Sequence, residues 1–270
     1  MHITVVIPTY NRYEFLRRAL YSVLDQSYAA SEIIVVDDGS TDNTASIKEE
    51  FPQVKYIYQN NAGVSRARNL GIVNAVHEWI AFLDSDDTWQ RDKLKEQVNF
   101  HLQNPTILMS FTDEKWIRDD KEVKIPKKFK KYGGEIFEKS LSYCNIAPSS
   151  TLIQKNLLDE VGFFDESLEV CEDYDLWLRI AMNYTIGLVD KKLITKYAGH
   201  NDQLSFKYWG MDRFRVLALE KLLSTCDNAQ QVALIKKEAQ KKYTLLLKGA
   251  QKYDKILEIK NYEKKIESFQ

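Results

Sequence analysis

At 270 residues, 44% hydrophobic and 29% charged, the chain has the composition of an ordinary globular protein, which excludes disordered, collagenous and disulfide-scaffold classes. Its 38 Lys+Arg against 39 Asp+Glu leave a formal net charge of −1, too little field to gather nucleic acid. The length suffices for one large domain, or one domain with a helical appendage, without covalent staples.

The first residues, Met1 to Pro8, carry no basic segment, and their apolar run is short and stops at a proline, so they read as a first strand rather than a secretory signal. Short β-branched runs then alternate with amphipathic helical patterns. Strands are predicted at Val5–Ile7, Ile33–Val36, Tyr56–Tyr58 and Trp79–Leu83, and helices over Tyr13–Gln26, Thr44–Phe51 and Val64–Val76, the signature of βαβ units and a parallel sheet. Another helix is predicted from Trp89 to Leu102. Ligands of open α/β sheets bind beyond the carboxyl ends of the strands, so the loops Thr9–Arg12, Asp37–Thr44 and Asp84–Thr88 carry the functional interest. After Gln103 the alternation gives way to a mixed region with a turn at Asp119-Asp120, a basic stretch Lys121–Lys131 and Gly133-Gly134. From Phe206 onward the pattern is mainly helical and Lys-rich, with 11 Lys against 6 acidic residues in Lys221–Gln270. No stretch approaches the roughly 20 apolar residues that span a bilayer.

Three segments have the residues for chemistry. Val35–Asp42 ends a buried strand in Asp37 and Asp38, followed by Gly39 and hydroxyls, which places acceptors at the sheet rim where a heterocycle or ribose is read. The purely structural alternative is an Asx-turn and a helix cap at Ser40 or Asp42. It accounts for Asp42 and Thr41 as caps and explains Asp38 least. In Ile80–Trp89, Asp84 and Asp86 lie two apart on what reads as an extended segment, so their side chains point the same way. Two such carboxylates repel unless a cation lies between them, and hard oxygen ligands suit Mg²⁺ or Mn²⁺ completing its shell with diphosphate oxygens. Asp87 reads instead as the N-cap of the following helix. Glu172-Asp173-Tyr174-Asp175 opens a further helix with acids that its dipole favours, and a carboxylate there stays ionised near neutral pH, as a general base must.

Together the segments Val6–Arg12, Val36–Asp42, Gly63–Gly71, Asp84–Asp87 and Glu172–Trp177 resemble, in order and spacing, the family 2 glycosyltransferases, and Val161–Leu168 is similar to that family's approach to its Glu-Asp motif. The resemblance covers residues 3 to 200. It implies an α/β fold of GT-A type, a Rossmann-like α/β/α sandwich with a mostly parallel central sheet, plus a C-terminal helical region. The implied division is a catalytic domain over 1–205, with a nucleotide-binding half 1–103 and an acceptor-side half 104–205, followed by helices over 206–270. The implied activity is metal-dependent, inverting transfer from a nucleotide diphosphate sugar, UDP-sugar before dTDP-sugar, to a hydroxyl of a saccharide or lipid-linked acceptor. Carried over residue by residue, Pro8, Thr9 and Tyr10 line the base pocket. Asp38 accepts from a pyrimidine N3–H, which uracil and thymine have and cytosine lacks. Arg68 lies beside base and diphosphate, Asp84 faces ribose and metal-bound water with Ser85 beside it, and Asp86 is the direct ligand of Mn²⁺ or Mg²⁺. Asp173 is the base, and Glu172 orients base or acceptor. His200 stands beside metal or diphosphate, although Lys196 occupies a place where relatives often carry arginine. The processive members' Gln-x-x-Arg-Trp motif is absent, which implies a non-processive enzyme.

The remaining features divide between structure and function. His2, His77 and His101 have no convergent partners in the sequence. Cys144, Cys171 and Cys226 are odd in number and far apart, so they build neither a CxxC metal clamp nor a paired framework. They read as reduced thiols of a cytoplasmic protein, core or incidental. The basic stretch, interleaved with Ile125, Phe129 and Tyr132, is either a solvated loop or a rest for anionic headgroups or a lipid-linked diphosphate. The tail helices pack on the catalytic domain by default, with a homodimer or peripheral contact at the inner membrane face as the alternatives. The rival functional class is a catalytically silent sugar-nucleotide-binding scaffold, against which stands the joint presence of Asp38, Asp84, Asp86 and Asp173.

Overall fold

The computed structural model describes residues 1–199, 208 and 210–269. In chain order the elements are β1 (Ile3–Thr9), α1 (Tyr13–Leu24), β2 (Glu32–Asp37), α2 (Ile47–Glu50), β3 (Lys55–Tyr58), α3 (Val64–Asn74), β4 (Trp79–Phe82), β5 (Thr88–Trp89), α4 (Lys93–Gln103), β6 (Met109–Arg118), β7 (Lys121–Val123), α5 (Phe137–Ser140), β8 (Leu152–Gln154), α6 (Lys155–Val161), α7 (Glu172–Ala181), β9 (Gly187–Tyr197), α8 (Asp212–Thr225), α9 (Ala229–Lys252) and α10 (Ile256–Ser268).

The strands form one sheet in the order β3-β2-β1-β4-β8-β6-β9-β5, with β7 on β6. β3, β2, β1 and β4 are parallel, as the βαβ reading predicts. Beyond β4 the sheet is mixed: β8 runs antiparallel to β4 and β6, whereas β6 and β9 are parallel. Every residue of β1 is buried, because a central strand of a sheet with helices on both faces must be apolar on both. Pro8 fits there since β4 pairs only Ile3 to Val6, leaving no neighbour on that side to miss an N–H.

Side-chain alternation along the strands sorts the core into two layers. Val5, Ile7, Ile33 and Val35 pack with Leu16, Ala19, Leu20 and Val23 of α1 and with Leu94 and Val98 of α4. Val6, Ile34, Val36 and Phe82 pack with Ala67 and Ile72 of α3, with α7, and with Ala218, Leu219 and Leu222 of α8. α3 lies close on the sheet because Gly71 faces Val6, where a Cβ would meet Cγ1 at 2.3 Å. Ile235 and Ala239 of α9 join the same layer, and α10 rests on α9 through Tyr243 and Tyr262, ring centroids 5.9 Å apart. None of the described helices is long and apolar enough to cross a membrane.

Two expectations change at the loop Asp84–Thr88. The helix after β4 starts at Lys93 rather than Trp89, because Thr88 and Trp89 instead pair with Thr195 and Ile194 of β9. Asp87 therefore caps no helix. The segment before it is a turn, closed by the Asp87 N–H donating to the Asp84 carbonyl at 2.9 Å, and not an extended strand. The Asp119-Asp120 turn is present, both residues at positive φ (50° and 57°), as a two-residue hairpin between β6 and β7 requires.

Candidate active site

The order β2-β1-β4 places the topological switch point at β1, and open α/β sheets take their ligands in the crevice beyond the carboxyl ends of the strands at such a point. Three loops line it, and side chains knit them together. Asn11, held at φ 51°, accepts from the Thr41 N–H at 2.7 Å, and its own N–H donates to Ser40 Oγ at 2.8 Å. Asp37 closes the turn by accepting from the Ser40 N–H at 2.8 Å. Asp42 caps the following turn through the Thr44 N–H, whereas Thr41 is no cap.

Asp38 is 5% exposed and faces the loop before α3. Its Oδ1 accepts from Gln59 Nε2 at 2.6 Å and the Ala62 N–H at 2.8 Å, and its Oδ2 from the Gly63 N–H at 2.9 Å. A carboxylate has about four acceptor positions, so the described partners leave one, on Oδ2. Beside it Pro8 and Thr9 are buried while Tyr10 is 47% exposed. Among the described residues the buried Thr9 hydroxyl has no partner.

At the end of β4 the acids Asp84, Asp86 and Asp87 meet the cations Arg12, Arg18, Arg68 and Lys196. Asp84 accepts from Arg68 Nη2 at 2.7 Å, and Asp86 from Arg12 Nη1 at 2.9 Å. Arg18 donates to the Asp86 carbonyl at 2.8 Å and stacks 3.6 Å from the centre of the Tyr197 ring. Although Asp84 and Asp86 do not share an extended strand, exposure alternates through the turn: Ser85 and Asp87 are buried and the two outer acids half-buried. Burial would raise the Asp84 carboxyl, but the Arg68 guanidinium outweighs it, with Lys196 and Arg12, and holds it below the ordinary range. Asp87, 2% exposed and accepting from Ser149 Oγ at 2.6 Å, is pushed well above that range by burial, with Asp86 and Asp84 adding to the shift against the opposing pull of Lys196. Burial would discharge Lys196, yet Asp87, Glu114, Asp84 and Asp86 together raise it and keep it cationic.

Arg68 joins this cluster to the start of α7. It is 3% exposed and donates through Nη1 to Glu172 Oε1 at 2.6 Å. One cation cannot fully compensate two carboxylates: burial raises Glu172 despite Arg68, with Asp173 adding to it, while Asp84 stays low. Glu172 thus holds Arg68. The next residue on α3, Asn69, pins the chain leading to α7 by a paired contact with the Phe164 N–H and carbonyl. α7 begins after Cys171, which takes a left-handed φ of 66°, a conformation costing a non-glycine residue about 1 kcal/mol. Asp173 is half-buried. Its Oδ1 accepts from the Tyr174 N–H at 2.7 Å and its Oδ2 from the Cys144 thiol at 3.3 Å.

The structure therefore brings Pro8, Thr9, Tyr10 and Asp38 to one side of the crevice, and Arg68, Asp84, Ser85, Asp86, Glu172 and Asp173 to the other. His200 lies outside the described residues. Sequence reasoning missed Arg12 and Arg18 as partners of Asp86, although Arg12 sits within the first motif, and it set Cys144 aside. Lys196 was noted only as a departure. Of the basic stretch, the side chain of Lys131 is buried in an ion pair with Glu114 at 3.0 Å, while Lys121, Lys127 and Lys128 are exposed.

The donor chemistry at the β4 end fits a divalent ion. Asp84 and Asp86 supply hard carboxylate oxygens, each lending one to an arginine. Among the described residues no group of three or more His, Cys, Asp or Glu stands ready to hold an ion by itself, so such an ion would draw much of its shell from diphosphate and water, as Mg²⁺ does.

Comparison with known proteins shows the family and the fold. The profile of glycosyl transferase family 2 matches residues 4–162. An uncharacterized glycosyltransferase of Rickettsia felis is 36% identical over 195 residues, 71% of this chain and 32% of that protein, so the chain spans about a third of that relative's length. A putative teichuronic acid biosynthesis glycosyltransferase, TuaG of Bacillus subtilis, is 37% identical over 115 residues, 41% of this chain and 45% of that protein. Among solved structures, S. aureus TarS 1-349 in complex with UDP-GlcNAc superposes with a TM-score of 0.73 at 21% identity, covering 90% of this chain and 73% of that one. The mannosyltransferase PcManGT of Pyrobaculum calidifontis, in complex with GDP-Man and Mn²⁺, gives 0.63 at 19% identity, covering 92% and 74%. These two establish the GT-A fold.

Proposed function

The chain belongs to glycosyl transferase family 2, and from that premise we propose that it is an inverting, non-processive glycosyltransferase that takes a sugar from a nucleotide diphosphate donor to a hydroxyl of a saccharide or lipid-linked acceptor. One observation carries the reading: Arg68 is shared by Asp84 at the nucleotide rim and Glu172 beside Asp173, so the two ends of a single displacement meet at one buried cation. UDP-sugar is the favoured donor and dTDP-sugar the next, since the remaining acceptor position of Asp38 suits a pyrimidine N3–H. Pro8, Thr9 and Tyr10 form the wall against which the base rests.

Asp173 takes the proton from the acceptor hydroxyl as that oxygen attacks the anomeric carbon; the bond to the donor diphosphate breaks with inversion. Glu172 acts by holding Arg68, whose charge offsets the acids around the leaving group. Mn²⁺ or Mg²⁺ would be held by Asp86 and Asp84, with His200 as a further ligand, and would supply charge stabilisation at the leaving diphosphate. The assignment of 1–205 to catalysis, and of 206–270 to support of its acceptor side, belongs to the same reading. Surface polysaccharide assembly at the cytoplasmic face is the setting of this reading, and the name of TuaG, teichuronic acid biosynthesis, supports its polysaccharide part.

Thermal unfolding with UDP, dTDP, GDP and CDP, with and without Mn²⁺, tests the donor site. A ligand at about 100 times its Kd stabilises by about 2.7 kcal/mol. UDP or dTDP is expected to stabilise in Mn²⁺, and Asp86→Asn to remove the Mn²⁺-dependent part. Equal affinity of Asp86→Asn with Mn²⁺ present overturns the metal assignment.

A further inference from the structure

Cys144 lies in the loop between α5 and β8, outside every motif of the family, and no step of the proposed reaction uses it. Its thiol has a single proton and two acceptors in reach: the Ile146 carbonyl at 3.4 Å and Asp173 Oδ2 at 3.3 Å. The Ile146 carbonyl already accepts from Trp177 Nε1 at 3.0 Å, and a carboxylate is the stronger acceptor. The S–H proton therefore goes to Asp173. Burial, reinforced by the Asp173 charge, pushes the thiol well above its ordinary range, so it remains a donor at neutral pH and is a poor nucleophile.

Loop 141–146 is built to hold that thiol still. Four of its carbonyls accept from side chains of distant elements: Leu141 from Tyr174 Oη at 2.5 Å, Ser142 from Lys242 Nζ at 2.9 Å, Asn145 from Lys131 Nζ at 2.5 Å, and Ile146 from Trp177. Tyr174 and Trp177 belong to α7, the helix that carries Asp173, so thiol and carboxylate sit on two elements tied directly to one another. With Oδ1 on the Tyr174 N–H and Oδ2 on the thiol, one donor fixes each carboxylate oxygen.

We propose that Cys144 is a positioning residue: its S–H locks the Asp173 carboxylate in the rotamer that faces the acceptor hydroxyl. The role rests on Asp173 being the base, and the test separates the two. The S–H stretch absorbs in an infrared window free of other protein bands. Of the three thiols, Cys144 should give the band at lowest wavenumber, since it donates to a carboxylate at 3.3 Å whereas Cys171 and Cys226 face neutral oxygens at 3.6–3.9 Å. Cys144→Ala should delete it, and Asp173→Asn should move it toward the unbonded position. In transfer assays, Cys144→Ala should lower kcat roughly tenfold, the scale of one lost hydrogen bond to a charged group, with donor KM unchanged. Cys144→Ser, which keeps a donor, should recover most of it. An unshifted Cys144 band, or wild-type kcat in Cys144→Ala, overturns this role and leaves the transferase reading standing; a wild-type chain that never turns over donor overturns both.

Discussion

The two sides of the crevice are assembled by different means. On the donor side, motif residues hold motif residues: Asn11 fastens the loop at Thr41, Asp38 fastens the loop at Gly63, and Arg12 meets Asp86. On the acceptor side the candidate base sits on a helix whose neighbouring loop is fixed by side chains reaching its backbone carbonyls from Lys131, Tyr174, Trp177 and Lys242. The proposed nucleotide rim is thus specified by short contiguous segments, whereas the proposed base opposite it depends on side chains from distant elements, α9 included. Arg68 is the joint between the two.

Removing the joint should have the largest effect. Arg68→Met leaves Asp84 and Glu172 without their shared cation, and breaking a buried ion pair in this way costs about 3–5 kcal/mol; chemical denaturation should show a loss of that size. A loss below about 1 kcal/mol would mean that the two sides are held together elsewhere.

Acid should lower the stability of the fold next. His101 on α4 is 4% exposed, its ring nitrogens engaged with the Ile107 carbonyl and Ser110 Oγ, and burial lowers it from its ordinary 6.5 to about 4. Between those values the unfolded chain binds a proton that the folded chain does not, so stability falls as pH falls. At 1.36 kcal/mol per unit, the total is about 3 kcal/mol by pH 4. Unfolding free energies from pH 7 to pH 4 should show this loss, and His101→Gln should flatten that part of the curve.

The smallest effect tests the tail. Lys242 is 3% exposed and joins Ser142, Asp212 and Glu238. Lys242→Met should cost about 1–3 kcal/mol, the range for leaving buried acceptors unsatisfied, and should lower kcat while leaving nucleotide affinity untouched. Unchanged kcat would confine α9 to packing.

β1 to β4 and the rim motifs are readable because apolar period and turn residues lie within short stretches. Asp84 and Asp86 stood out as candidates, but the turn between them did not, since it arises from Thr88 and Trp89 pairing with β9. That long-range pairing also delays α4 and buries Asp87 against Ser149. Cys144 carried no local signal; only the fold brings it to Asp173. His101 lacked partners in sequence for the same reason, finding Ser110 and Trp79 in space.

The most direct test of the account is release of UDP or dTDP from an array of donor sugars, with a membrane glycan and lipid extract as acceptor, comparing wild type with Asp173→Asn. Acceptor-dependent release is expected from the wild type, and a loss of about 10²–10⁴-fold, the worth of a general base, in a variant that binds nucleotide as well as before. Near-normal release by Asp173→Asn would place the base elsewhere, and a wild type that binds nucleotide yet releases none would make the protein a scaffold.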